Sequence, residues 1–124
     1  MSDKVLIIDD DAVIRKILAR MLQITGIAKE PINLVDGLEA YNYLISEEKS
    51  IKYTLFLDIN MPNMNGWQLL ERLKSENLLD NKLIYIITSS VDHKDYQKAE
   101  ANPHITSVIT KPVTLAKLKA LVTK

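Results

Sequence analysis

The stretch Tyr53-Thr54-Leu55-Phe56-Leu57-Asp58-Ile59-Asn60-Met61-Pro62 decides the fold. A short apolar, β-prone run stops at a carboxylate, and turn formers follow in Asn63-Met64-Asn65-Gly66. A run bounded in this way reads as a buried strand. Asp58 therefore falls at the carboxyl end of a central strand, where open α/β sheets bind their ligands. An ionised carboxylate there must stay hydrated, meet a cation or do chemistry.

The same pattern repeats outward from this point. Toward the N-terminus, Lys4-Val5-Leu6-Ile7-Ile8 runs into Asp9-Asp10-Asp11. A strand without polar alternation is buried on both faces, as in parallel sheets covered by helices. Asp11 is placed to cap the next helix. Ile14, Ile17, Leu18, Met21 and Leu22 recur at helical spacing as its inner face, and Gly26 takes the position just past its end. Pro31-Ile32-Asn33-Leu34-Val35 is a weaker strand, and its proline assigns it to a sheet edge. Asp36-Gly37 turns the chain, and Leu38 to Glu48 reads as a helix with Leu38, Tyr41, Leu44 and Ile45 inward. Beyond Asp58, the residues Trp67, Leu70 and Leu73 mark a helix from Gly66 to Glu76. Leu83-Ile84-Tyr85-Ile86-Ile87 is a buried strand ending in Thr88-Ser89-Ser90. Asp92 to Ala101 is a polar helix with Tyr96 and Ala99 as its apolar contacts, stopped by Asn102-Pro103. Ile105 to Thr110 is a short strand ending in Lys111-Pro112, and Leu115, Leu118, Leu121 and Val122 stripe a last helix. Strands alternating with helices mean a parallel sheet with right-handed crossovers.

Composition narrows the function. At 124 residues the chain is one domain of common size. Its formal net charge of zero argues against a bulk electrostatic grip on nucleic acid or an anionic membrane. No apolar run approaches the roughly 18 residues that span a bilayer, and the N-terminus lacks the pattern of a signal peptide. Cysteine is absent, which removes disulfides, thiolate metal sites and cysteine nucleophiles and fits the cytoplasm.

In a parallel sheet the strand ends share one rim, so Asp9, Asp10, Asp58, Thr88 and Lys111 converge. Three neighbouring carboxylates repel one another. A divalent cation relieves the repulsion, and an all-oxygen set with room for phosphate and water suits Mg²⁺ better than zinc. One carboxylate is then free to attack phosphorus and form an acyl phosphate. Lys111 can pair with Asp58 or with phosphoryl oxygens, and Thr88 can offer them a hydroxyl. His93 and His104 have no carboxylate or cysteine at metal spacing and read as surface residues. Trp67 and Met64 read as packing, and Met61-Pro62 with Gly66 as loop-shaping.

With these motifs in order, each at its own strand end, the chain from Lys4 onward resembles the receiver domain of two-component response regulators. The resemblance implies an α/β, flavodoxin-like doubly wound (βα)5 fold with a five-stranded parallel sheet in the order 2-1-3-4-5. It implies one receiver domain over 1–124, acting as a phosphoacceptor and not as an enzyme. Asp58 would accept the phosphoryl group and help hold Mg²⁺. Asp10 would ligate Mg²⁺ directly, Asp9 through a water, and Asn60 through its backbone carbonyl. Thr88 would bond the phosphoryl group, Lys111 would form an ion pair with it, and Pro112 would follow a cis peptide bond. The implied donor is a histidine kinase or histidine phosphotransfer protein, docking near Ala12, Ile14, Arg15 and the loop after Pro112. An unidentified downstream protein would read the surface of the fourth helix, fifth strand and fifth helix. The expected form is a cytoplasmic monomer or a phosphorylation-dependent dimer, with no direct contact to nucleic acid or membrane.

The Met1-Ser2 start and the end at Lys124 favour a stand-alone receiver over a fragment of a larger regulator or hybrid histidine kinase. Three positions depart from the family pattern. Val108 stands where an aromatic switch residue is common, Ser89 where alanine is common, and Asn102-Pro103-His104 where Gly-Ala is usual. The rival readings are an interaction module that works without phosphorylation, an aspartate phosphatase of the haloacid dehalogenase type, and an FMN-binding flavodoxin. The complete residue set argues against the first. Asn60, where such phosphatases carry a second aspartate, argues against the second. The acidic turn after the first strand, where a flavodoxin has its phosphate loop, argues against the third.

Overall fold

A computed structural model describes residues 3–89 and 93–122, and of His93 the backbone alone. The elements are β1 (Lys4–Ile8), α1 (Ala12–Ile24), β2 (Ile32–Leu34), α2 (Gly37–Ile45), β3 (Tyr53–Asp58), α3 (Gly66–Ser75), β4 (Lys82–Thr88), α4 (His93–Ala101), β5 (Ser107–Thr110) and α5 (Leu115–Val122). All strand pairs are parallel, and the sheet order is β2-β1-β3-β4-β5. This is the doubly wound order expected from the sequence, with the Pro31 strand at an edge. The expected start of α4 at Asp92, and the side chain of His93, lie outside the described residues.

The apolar runs produce this fold because their two faces feed two separate cores. Leu6, Ile8, Leu55, Leu57, Ile84 and Ile86 pack under α2 and α3, with Leu44, Leu69 and Leu73. Val5, Ile7, Phe56, Ile87 and Ile109 pack under α1 and α5, with Leu18, Leu22 and Leu118. Every residue of β3 is buried. Burying one such aliphatic side chain stabilises by roughly 1.5–3 kcal/mol, so the central strands are fixed firmly and their carboxyl ends with them.

The helix starts follow the sequence. Asp11 caps α1, accepting from the Val13 and Ile14 amides. Asn65 and Gln68 form a reciprocal capping box on α3. Gly26, at φ +76°, ends α1 in the left-handed region. Two expected inner faces are corrected. Leu18 and Leu22 seat α1, whereas Ile17 is 49% exposed and Ile14 and Met21 are half-buried. On α2, Ala40, Tyr41 and Leu44 face inward, while Leu38 and Ile45 are 45% and 47% exposed. In both helices the apolar stripe is wider than the strip of sheet beneath it. Trp67 bridges helices as well as packing: its Nε1 donates to Asp95 Oδ1 on α4 at 3.1 Å, and Lys98 Nζ lies 5.5 Å from its ring centre.

Candidate functional site

Register brings the polar strand ends together. Asp58 pairs with Ile87 at the end of β3, and Thr88 pairs with Thr110 one step further along β4 and β5. Asp9 follows β1 directly, and Lys111 follows β5. Its amide donates to the Thr88 carbonyl at 2.9 Å, which ties the β5 end to the β4 end. Asp9, Asp58 and Thr88 are buried, Lys111 is half-buried, and Asp10 and Asn60 are exposed. The five residues singled out in sequence thus occupy one rim. The Lys111-Pro112 peptide is cis.

Asp9, Asp10 and Asp58 each offer a carboxylate oxygen within 4.8 Å of the others. Lys111 Nζ stands 3.7 Å from Asp9 Oδ2 and 3.7 Å from Asp58 Oδ2. At that separation a pair is worth about 4 kcal/mol at an effective dielectric of about 20, and desolvation of the buried carboxylates offsets much of it. One ammonium against three carboxylates leaves an excess of negative charge.

The acidities reflect this. Burial, and then the Asp9 charge, push the Asp58 carboxyl up to about 6, against the pull of Lys111 and of the Asn60 amide, which donates to Asp58 Oδ1 at 3.3 Å. Burial above all raises Asp9, against the Asp11 amide, which donates to Asp9 Oδ1 at 2.9 Å, and against Lys111. Asp9 Oδ2 is buried and accepts no hydrogen bond from the described residues. A buried carboxylate oxygen without a hydrogen bond, in a cluster of three carboxylates faced by a single ammonium, suits a hard, oxygen-seeking divalent cation such as Mg²⁺.

Two features escape a linear reading. Arg15, expected from sequence only at a docking surface, donates from Nη1 to the Asp9 carbonyl at 2.6 Å and braces the acidic turn. Asp36 and Asn63, read in sequence as turn formers, bond to each other beside the rim, Asn63 Nδ2 donating to Asp36 Oδ2 at 2.8 Å. Their separation of 27 residues leaves no local signal. Behind the rim, Ile14, Ile17, Leu18, Met21, Lys111, Pro112 and Val113 line an apolar groove of about 420 Å³. Among the described residues no helix is long and apolar enough to cross a membrane.

Comparison with known proteins agrees. Residues 5–123 match the family described as "Response regulator receiver domain". The chain is 28% identical over 119 residues to a chemotaxis protein CheY homolog of Campylobacter jejuni, covering 94% of this chain and 89% of that protein. It is 28% identical over 124 residues to hybrid signal transduction histidine kinase L of Dictyostelium discoideum, where it spans 98% of this chain and only 7% of the kinase. The crystal structure of a two-component response regulator from Cytophaga hutchinsonii superposes with a TM-score of 0.81 at 28% identity, covering 97% of this chain and 93% of that one. In sequence and in strand order, the chain belongs to the response regulator receiver domain family of two-component signalling.

Proposed function

We propose that residues 1–124 act as one phosphoacceptor unit, with Asp58 receiving a phosphoryl group from a histidine kinase or histidine phosphotransfer protein. The observation that carries this reading is the placing of Lys111 Nζ, 3.7 Å from both Asp9 and Asp58, against a cluster of three carboxylates in which the buried Asp9 Oδ2 accepts no hydrogen bond from the described residues. Asp9, Asp10, Asp58 and the Asn60 carbonyl would hold Mg²⁺. When bound, Mg²⁺ supplies the positive charge that lets an anionic phosphodonor approach an anionic nucleophile.

The chain's own groups do the rest. Asp58 Oδ attacks phosphorus, a P–O bond forms and the P–N bond to the donor imidazole breaks. The electron pair returns to the imidazole nitrogen, which takes up a proton. Lys111 leaves its carboxylate partners to pair with the arriving phosphoryl oxygens. Thr88, buried at the adjacent strand end, offers them its hydroxyl. The exposed Ile17 and half-buried Ile14 and Met21, beside Pro112 and Val113, form an apolar landing surface for the donor next to the rim. Ala12 and Arg15 flank it. The added charge of roughly two units then favours a conformer with an altered surface over α4, β5 and α5, which a downstream protein reads.

Intact mass after incubation with acetyl phosphate tests the proposal. One phosphoryl adduct that requires both Mg²⁺ and Asp58, and is absent in Asp58→Asn, supports it. No adduct from acetyl phosphate or from a panel of histidine kinases, in folded protein with Mg²⁺ present, refutes it.

A further inference from the structure

The β3–α3 loop is fastened to the start of α2 at two successive residues. Asp36 is buried and caps α2 with Oδ1, accepting from the Glu39 amide at 2.8 Å. Its Oδ2 accepts from Asn63 Nδ2 at 2.8 Å. The next residue, Gly37, donates its amide to the Met64 carbonyl at 3.0 Å. A Cβ on Gly37 would sit 2.3 Å from that carbonyl oxygen, so only glycine permits so close an approach. Asn63 holds φ +65°, a left-handed conformation that asparagine tolerates. Its side chain lies on an exposed residue, and α2 keeps its cap through Glu39 without it. Asp36 stays ionised across neutral pH, because the Glu39 amide and then Asn63 hold its carboxyl below the usual range. The Asn63 bond is therefore charge-assisted.

At its near end the loop begins at Asp58, whose Oδ1 accepts from the Asn60 amide. Asn60 thus hangs between the rim carboxylate and the fastening at residues 63 and 64. We propose that Asp36 and Asn63 are positioning residues: by anchoring the β3–α3 loop they set where the Asn60 carbonyl stands, and so how tightly the rim takes up Mg²⁺. This rests on the reading of Asp9, Asp10, Asp58 and the Asn60 carbonyl as the Mg²⁺ site. Second-sphere partners of ligands commonly govern affinity in this way.

The test is an exchange of the two side chains in the full chain. Asn63→Asp sets a second carboxylate against Asp36. By charge alone, a further anion near the rim would tighten Mg²⁺. The positioning role demands the reverse, about tenfold weaker Mg²⁺ binding by titration calorimetry. In the metal-free protein the Gly37 amide should exchange with solvent faster. The double variant Asp36→Asn with Asn63→Asp restores a carboxylate–amide pair at the same total charge, and asparagine caps a helix as well as aspartate. It should recover Mg²⁺ affinity to within about twofold, since the coupling of the pair is what such a cycle isolates. With acetyl phosphate, the rate of Asn63→Asp should fall at low Mg²⁺ and match the parent at saturating Mg²⁺. If Asn63→Asp does not fold, Asn63→Gly suits the left-handed backbone, removes the amide and should show the same weakening. Equal or tighter Mg²⁺ binding by the single variant, or failure of the folded double variant to recover, overturns the positioning role. A parent chain that takes up no Mg²⁺ overturns the reading of the acidic rim, and the positioning role with it.

Discussion

Asp58→Asn should make the metal-free protein more stable at neutral pH. The Asp58 carboxyl titrates at about 6 in the fold, against 3.8 when unperturbed. Between those values the folded chain holds a proton that the unfolded chain has released. Stability therefore falls as pH rises through that window, and the loss is complete above the folded value. At about 1.4 kcal/mol per unit the ionised carboxylate costs the fold about 3 kcal/mol. The amide keeps the shape but needs its own hydrogen bonds, so a net gain of roughly 1–3 kcal/mol is expected. For a domain of this size that is a rise in melting temperature of about 3–12 °C. The assay is thermal unfolding in chelator at pH 7.5 and at pH 4.5, followed by circular dichroism. The variant should melt higher at pH 7.5, and the gap should narrow by about 2 kcal/mol at pH 4.5, where the folded parent carboxyl is protonated while the unfolded one is still mostly ionised. Adding Mg²⁺ at pH 7.5 should raise the parent and leave the variant nearly unchanged. A variant no more stable than the parent at pH 7.5 would refute the argument that the rim is electrostatically strained.

Three further outcomes are expected. Lys111→Ala removes the ammonium 3.7 Å from Asp9 and Asp58; phosphorylation by acetyl phosphate at saturating Mg²⁺ should slow by at least about a hundredfold, read by intact mass against time. Gly66→Ala would place a Cβ 2.8 Å from the Asp58 carbonyl oxygen and 3.0 Å from Ile59 Cα. The shift forced on that backbone should lower stability by about 1–3 kcal/mol in urea titration. Ile17→Glu, on the open side of α1, should leave acetyl phosphate labelling intact while slowing transfer from a phosphorylated histidine donor by about tenfold or more, measured by radiolabel transfer.

Short apolar runs that end in Asp9, Asp58, Thr88 or Lys111 are enough to read the central sheet and its functional rim from sequence, because strand-forming tendency and side-chain chemistry are local properties. The order of the strands came from likeness, and Pro31 agreed with it independently. What could not be read is how far each helix's apolar stripe is covered. Ile17, Leu38 and Ile45 obey helical spacing but have no sheet beneath them, and spacing alone does not distinguish a core contact from an open groove. The Asp36–Asn63 bond and the Trp67–Asp95 bond are equally invisible, since each joins residues on separate elements through geometry that exists only after the sheet has formed.

The single tryptophan acquires a use from its position. Trp67 has a carboxylate at its indole N–H and an ammonium above its ring, both supplied by α4. Displacement of α4 relative to α3 strips both charges from the chromophore at once, and with no other indole in the chain the tryptophan emission comes from this one place. The protein carries its own optical gauge of helix position, readable in unlabelled material at micromolar concentration while phosphodonor is added.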